Sequence, residues 1–201
     1  MKKSILSLVE NLKAKLLQYP SLVNMMEQRD YAFIEKLTGW IEETEEILAS
    51  NNISQASELA GLRSKILSPK FSNSRISTRK QQAEIASNLL YDIQHTVLQV
   101  LKQHEEKVEE CRALARQLLS VVNQAGVATY DDSMEFQTFL DRIWHVIVSH
   151  NQLKLGAAKL RSLLSQNDIL RLLAEETDLS EWTKDTPNKN SGHEPRPQNA
   201  A

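Results

Sequence analysis

Apolar side chains recur along this chain at intervals of three and four residues, the spacing of one face of an α-helix. Pro20 cannot complete the hydrogen-bond ladder of the turn before it, so we expect it to separate the first two helices. Ser68-Pro69 is expected to end the third helix. Outside the longest apolar stripe, the pattern predicts helices over about 4–18, 20–49, 53–67, 133–150, 153–165 and 167–179.

The longest apolar stripe predicts one long helix over about 77–124. It runs from Ile85 to Val122 with a mean step of about 3.7 residues, whereas a left-handed coiled coil repeats about every 3.5. A nearly straight helix in a bundle fits that step better, with a length of roughly 70 Å. Flanking leucines widen the stripe and favour burial on two sides: Leu90, Leu98, Leu101, Leu114 and Leu119.

The scarcity of turn residues limits the fold class. The chain has five glycines and five prolines in 201 residues, about half of ordinary usage. An all-β protein needs frequent turns, and a phosphate-binding turn needs clustered glycines. Gly39, Gly61, Gly126 and Gly156 stand far apart, which excludes both classes. We therefore predict an all-α fold, a bundle of five or six helices around one long central helix.

The domain organisation follows from a change in composition near the end of the sequence. Residues 183–201 contain no Leu, Ile, Val, Phe or Met. Such a segment has no apolar surface to offset the entropy of ordering, so we expect a disordered polar tail. Residues 1–182 are predicted to form a single helical domain, with a basic loop at about 68–76.

Charge and cysteine content indicate an ordinary intracellular protein. The net charge is −2, which excludes a globally basic nucleic-acid coat. Cys111 is the only cysteine, so a reducing compartment is the simpler expectation. No stretch approaches the roughly 18 uncharged apolar residues of a membrane-spanning helix. We expect a cytoplasmic protein without a transmembrane segment.

Excess positive charge is concentrated in one segment. Residues 51–81 contain six cationic side chains and one acidic one. This segment is a candidate contact for an anionic partner: a phosphate backbone, an acidic protein face or an anionic membrane surface. The competing interpretation is a solvated loop whose charges balance the acidic second helix. The six candidate contact residues are Arg63, Lys65, Lys70, Arg75, Arg79 and Lys80.

The five histidines are the first candidates for catalytic or metal-binding groups. Asp92 and His95 share a helical face, as do Asp141 and His145, but a di-iron bundle needs two Glu-x-x-His units and two further carboxylates. His104 lies in the apolar stripe and is expected to be a satisfied interior histidine. We therefore predict no catalytic residue, no metal site and no cofactor, and we infer no small-molecule substrate.

These observations lead to three hypotheses about function. The leading one is a non-enzymatic helical interaction protein: an adaptor, a chaperone-like subunit or a regulatory subunit of a larger complex. Its wide apolar stripes would be covered by self-association or by a partner helix. The alternative is a helical nucleic-acid-associated protein that binds the phosphate backbone through residues 63–80. The third is a helical enzyme whose site includes His145 and Asp141.

Overall fold

The computed structural model describes residues 2–69, 77–131 and 133–183. These ranges contain no β-strand beyond an isolated bridge between Tyr130 and Thr183. The predicted all-α bundle is confirmed, with six α-helices around one long helix within these ranges. They are α1 Ile5–Glu27, α2 Phe33–Ser50, α3 Gln55–Leu67, α4 Thr78–Gln124, α5 Phe136–Ser149, α6 Lys154–Leu163 and α7 Gln166–Glu176, followed by a 3-10 turn at Leu179–Glu181.

The predicted long helix is confirmed as α4, which is continuous over 47 residues and about 70 Å long. α4 packs against all six other helices. α3 contacts its first half, α6 and α7 contact its second half, and α1 crosses its middle, with Tyr19 at Leu90 and Lys13 at Glu105. The buried side chains form one continuous core. None of the described helices is both long and apolar enough to cross a membrane.

The expected break at Pro20 is wrong, because α1 continues through this residue to Glu27. Pro20 is exposed, while Tyr19 and Leu22 on either side of it are buried in the core. Proline has no backbone N–H, so α1 loses one helical hydrogen bond at Pro20. Packing of the residues that follow stabilises the last turns of α1 despite that loss.

The ends of α1 and α2 are closed by residues in the left-handed backbone conformation. Arg29 follows α1 with a φ of 54°, and Asn52 follows α2 with a φ of 58°. The next residue in each case donates its N–H to a carbonyl of the last helical turn, Asp30 to Met25 at 2.9 Å and Ile53 to Leu48 at 3.0 Å. Both ends are Schellman motifs, which turn α1, α2 and α3 back on one another.

Trp182 packs the end of the described chain onto α5. Its ring lies 5.5 Å from that of Phe139, which also contacts Tyr130 at 5.2 Å. The carbonyl of Trp182 accepts a hydrogen bond from the N–H of Tyr130 at 2.9 Å. The predicted disordered tail lies outside the described residues except for Thr183, and so does most of the predicted basic loop, residues 70–76.

Candidate functional site

The basic segment was the first candidate site, and its first member, Arg63, is engaged within the bundle. Arg63 Nε lies 2.8 Å from Glu45 Oε1, and its Nη2 lies 2.9 Å from Glu45 Oε2. A third contact joins Nη1 to Glu42 at 3.2 Å. The hydrogen bond to Glu45 is the main reason that the pKa of Arg63 is raised. Arg63 is therefore ion-paired with the acidic face of α2.

The three remaining basic residues that the structure describes do not converge on one point. Arg79 lies in the first turn of α4, with its guanidinium 4.7 Å above the ring of Tyr31. Lys80 is exposed in the same turn. Lys65 lines a groove between α3 and α4. Lys70 and Arg75 lie outside the described residues. The structure thus brings Arg79 to an aromatic ring of the α1–α2 connection and directs Arg63 to α2.

The groove between α3 and α4 has a volume of about 380 Å³. Glu58, Asp92 and His95 line it together with Lys65. The hydroxyl of Thr96 lies 3.1 Å from the Glu58 carboxylate. Within the described ranges, no three His, Cys, Asp or Glu side chains are grouped so that they could hold a metal ion. The groove is therefore a polar surface feature.

The histidines singled out from the sequence occupy separate places. His95 Nε2 lies 2.8 Å from the Gln99 amide nitrogen, and the His95 ring stacks on Tyr91 with centroids 5.6 Å apart. His104 is half-buried, with Nδ1 2.8 Å from the Val100 carbonyl, so it is satisfied as expected. His145 is exposed on α5.

A second surface lies along the junction of α1 with α4. Lys13 Nζ is 2.8 Å from Glu105 Oε1, and the Tyr19 hydroxyl donates to the Leu90 carbonyl. The later residue of α1 meets the earlier residue of α4, so the two helices are antiparallel. Lys13 and Glu105 are about half exposed, so their contact marks the solvent-facing flank of each helix.

Three large apolar side chains lie on these flanks and remain exposed. Leu17 is one helical turn after Lys13, so it lies on the same flank of α1. Leu98 and Tyr91 precede Glu105 by seven and fourteen residues, which places them on the same flank of α4. Their exposed fractions are 81% for Leu17, 71% for Tyr91 and 43% for Leu98. We call Leu17, Tyr91 and Leu98 the seam patch.

Sequence reasoning missed the seam patch because it assigned Leu98 to the buried face of the long helix. Leu90, Leu101 and Leu119 are buried as predicted. Leu98 instead shares its side of α4 with Tyr91 and Glu105, at steps of seven residues. The seven-residue spacing between Leu98 and Glu105 was the feature of the sequence that could have revealed the exposure of Leu98. It indicates that Leu98 lies at the edge of the stripe, where the bundle leaves it 43% exposed.

Comparisons of this chain with protein-family models, with curated proteins and with solved structures find no match. The arguments for its function therefore rest on its own surface: the ion pairs of Arg63 and Lys13, the groove between α3 and α4, and the seam patch on α1 and α4.

Proposed function

We propose that this chain is a non-enzymatic interaction protein, acting as an adaptor, chaperone-like subunit or regulatory subunit of a larger complex. The observation that carries the proposal is the seam patch. Single exposed apolar residues are ordinary on protein surfaces, but a group of large ones on adjoining helices is typical of an interaction site.

The energetics support docking at this patch. Covering a side chain of this size removes apolar surface from water and contributes about 1.5–3 kcal/mol. The backbone of α1 and α4 is already ordered by the core, so a partner needs to immobilise only side chains. Tyr91 is further held by its stack on His95. A patch that is fixed before binding loses less entropy than a flexible loop would.

The non-enzymatic part of the proposal is supported by how the reactive side chains are used. The Cys111 thiol is buried, and burial raises its pKa, which opposes formation of the nucleophilic thiolate. His104 is engaged with a backbone carbonyl, and His95 with Gln99 and Tyr91. A single buried cysteine also fits a cytoplasmic location, where thiols stay reduced.

The test is co-purification of the full-length tagged chain from its own cell, after nuclease treatment. We compare the wild type with the double variant Leu17→Glu/Leu98→Glu and with the matched control Leu155→Glu, whose leucine is 84% exposed on α6. The proposal expects a stoichiometric protein that the double variant loses and the control retains. Equal recovery by all three chains would refute the role of the seam patch.

A second candidate function is nucleic-acid association through the segment 63–80. What favours it is the first turn of α4, which carries Arg79 and Lys80, contains no acidic residue and has no side-chain cap. Helix N-termini and cations both attract phosphate. The ion pairs of Arg63 weaken this candidate, because that side chain is already neutralised.

The second candidate is tested by fluorescence anisotropy with a labelled duplex at increasing salt. Binding that weakens steeply with salt, and weakens further in Arg79→Ala/Lys80→Ala, is the expected result if the candidate is correct. Absent binding, or binding independent of salt, would exclude it.

A further inference from the structure

We infer that the seam patch binds a second copy of this chain, with the two α4 helices antiparallel and Tyr91 of each copy against Leu98 of the other. This inference rests on the proposed function and names its partner. Four exposed residues of α4 carry the inference through their spacing: Lys80, Tyr91, Leu98 and Glu109.

These four residues are spaced symmetrically. Eleven residues separate Lys80 from Tyr91, seven separate Tyr91 from Leu98, and eleven separate Leu98 from Glu109. At about 100° per residue, eleven residues advance by about 20° and seven fall back by about 20°, so all four lie along one line of the helix. The line is about 44 Å long, and its midpoint lies between residues 94 and 95.

A twofold axis through that midpoint pairs unlike groups. It brings Tyr91 to Leu98 of the other copy, which buries both apolar side chains in each half of the interface. It also brings Lys80 to Glu109 of the other copy. In an isologous dimer, residue i of one copy contacts residue j of the other, and residue j of the first copy contacts residue i of the second. The Tyr91–Leu98 and Lys80–Glu109 contacts both have this reciprocal pattern.

The charge distribution of α4 favours the antiparallel arrangement. Its first turn carries Arg79 and Lys80 without an acidic residue. Residues 105–110 contain four glutamates and one lysine. Glu109 already lies 3.5 Å from Arg116 and 3.8 Å from Arg112 of its own chain, with 62% of its side chain exposed, so the other copy's Lys80 would join this group. Antiparallel pairing places these regions opposite each other and also opposes the two helix dipoles. Parallel pairing would align like charges.

One pair in this arrangement is unfavourable in isolation. The same axis places Glu84 opposite Glu105 of the other copy. Glu105 is already ion-paired with Lys13 at 2.8 Å, so the lysine lies beside both carboxylates and offsets their repulsion. Leu17, one turn from Lys13, then flanks the Tyr91–Leu98 contact and extends the buried surface onto α1.

The experiment is sedimentation velocity of the full-length chain between about 1 and 100 μM, a range that resolves dimers of micromolar affinity. We compare the wild type with Tyr91→Ala/Leu98→Ala, Lys80→Glu, Glu109→Lys and the charge exchange Lys80→Glu/Glu109→Lys. Leu155→Glu is the control on α6. Circular dichroism establishes that each variant is folded, and Lys80→Glu alone keeps the test valid if the variants that carry Glu109→Lys are unstable.

The inference expects the wild type to dimerise. Each single charge variant should weaken the affinity of the dimer about tenfold, because repulsion appears at two symmetric places, and the charge exchange should restore it. It expects Tyr91→Ala/Leu98→Ala to be monomeric and Leu155→Glu to match the wild type. A wild-type chain that stays monomeric, or a dimer insensitive to these changes, overturns the inference. If the monomer still binds another protein through Leu17 and Leu98, the proposed function stands without it.

Discussion

The carboxylate of Asp168 in α7 lies 3.0 Å from the backbone nitrogen of Ile5, the first residue of α1. It also accepts a hydrogen bond from the Ser4 hydroxyl. Asp168 is 3% exposed, so its charge is compensated by these donors within the protein. Ser165 caps α7 itself, accepting from the Asp168 N–H at 3.2 Å. The N-termini of α1 and α7 are thereby fixed to each other through one side chain.

Replacing Asp168 is therefore expected to destabilise the fold. Asp168→Ala leaves the Ile5 N–H and the Ser4 hydroxyl without their acceptor, and hydrogen bonds to a charged group contribute about 1.5–3 kcal/mol. We expect the free energy of unfolding in urea to fall by about 2 kcal/mol. Asn167→Ala, an exposed neighbour in the same turn, is the control. A loss below that of the control would contradict the assigned role.

Tyr19 is predicted to make the stability depend on pH in the alkaline range. Its hydroxyl donates to the Leu90 carbonyl, and burial raises its pKa to about 12. An unfolded chain ionises tyrosine near pH 10, so the contribution of Tyr19 is fully present below about pH 10 and is lost as the pH rises to about 12. Absorbance titration should show one late tyrosine that Tyr19→Phe removes; four tyrosines titrating together would refute this.

The Cys111 thiol is predicted to be unreactive in the folded chain. Cys111 lies on the buried face of α4 and is 1% exposed, and burial raises the pKa of its thiol. Modification by an aromatic disulfide reagent should therefore proceed at the rate of opening of the structure and rise sharply in urea. Rapid stoichiometric reaction in buffer would show that this part of α4 is accessible.

Arg63 is predicted to stabilise the α2–α3 pair. Arg63 contacts Glu45 through two nitrogens, and the pair is partly buried. Such a pair contributes more to the free energy of unfolding than an exposed ion pair does. We expect Arg63→Ala to lower the free energy of unfolding by about 1 kcal/mol, and the effect to shrink in high salt. Lys65→Ala, an exposed change two residues away, should stay within about 0.5 kcal/mol of wild type. Equal effects of both variants would contradict the role of the ion pair.

Most of the helical architecture was readable from the sequence because its physical cause is local. The apolar stripe specified α4 to within one residue, and the near absence of glycine and proline excluded other classes. The expectation at Pro20 failed because burial of Tyr19 and Leu22 lies beyond local sequence. α1 ends shortly before Arg29, whose backbone is left-handed. Arginine has no preference for that conformation, so the sequence does not predict the end of the helix there.

The candidate site was less predictable, since it depends on contacts between distant segments. Arg63 was recognised as basic, but its partner Glu45 is eighteen residues earlier on α2. Leu98 was recognised as apolar, but its exposure depends on which side of α4 the neighbouring helices cover. Clusters of like residues are visible in a sequence, whereas the pairing of unlike ones is decided by the fold.

The most direct test of the central claim is site-specific photo-crosslinking in the cell of origin. A photoreactive phenylalanine derivative is placed at position 98 on the seam patch, and at position 155 on α6 as the control. We predict a discrete protein adduct from position 98, either to a second copy of this chain or to another protein, and none of that mass from position 155. No adduct at position 98, or the same adducts from both positions, would contradict the account.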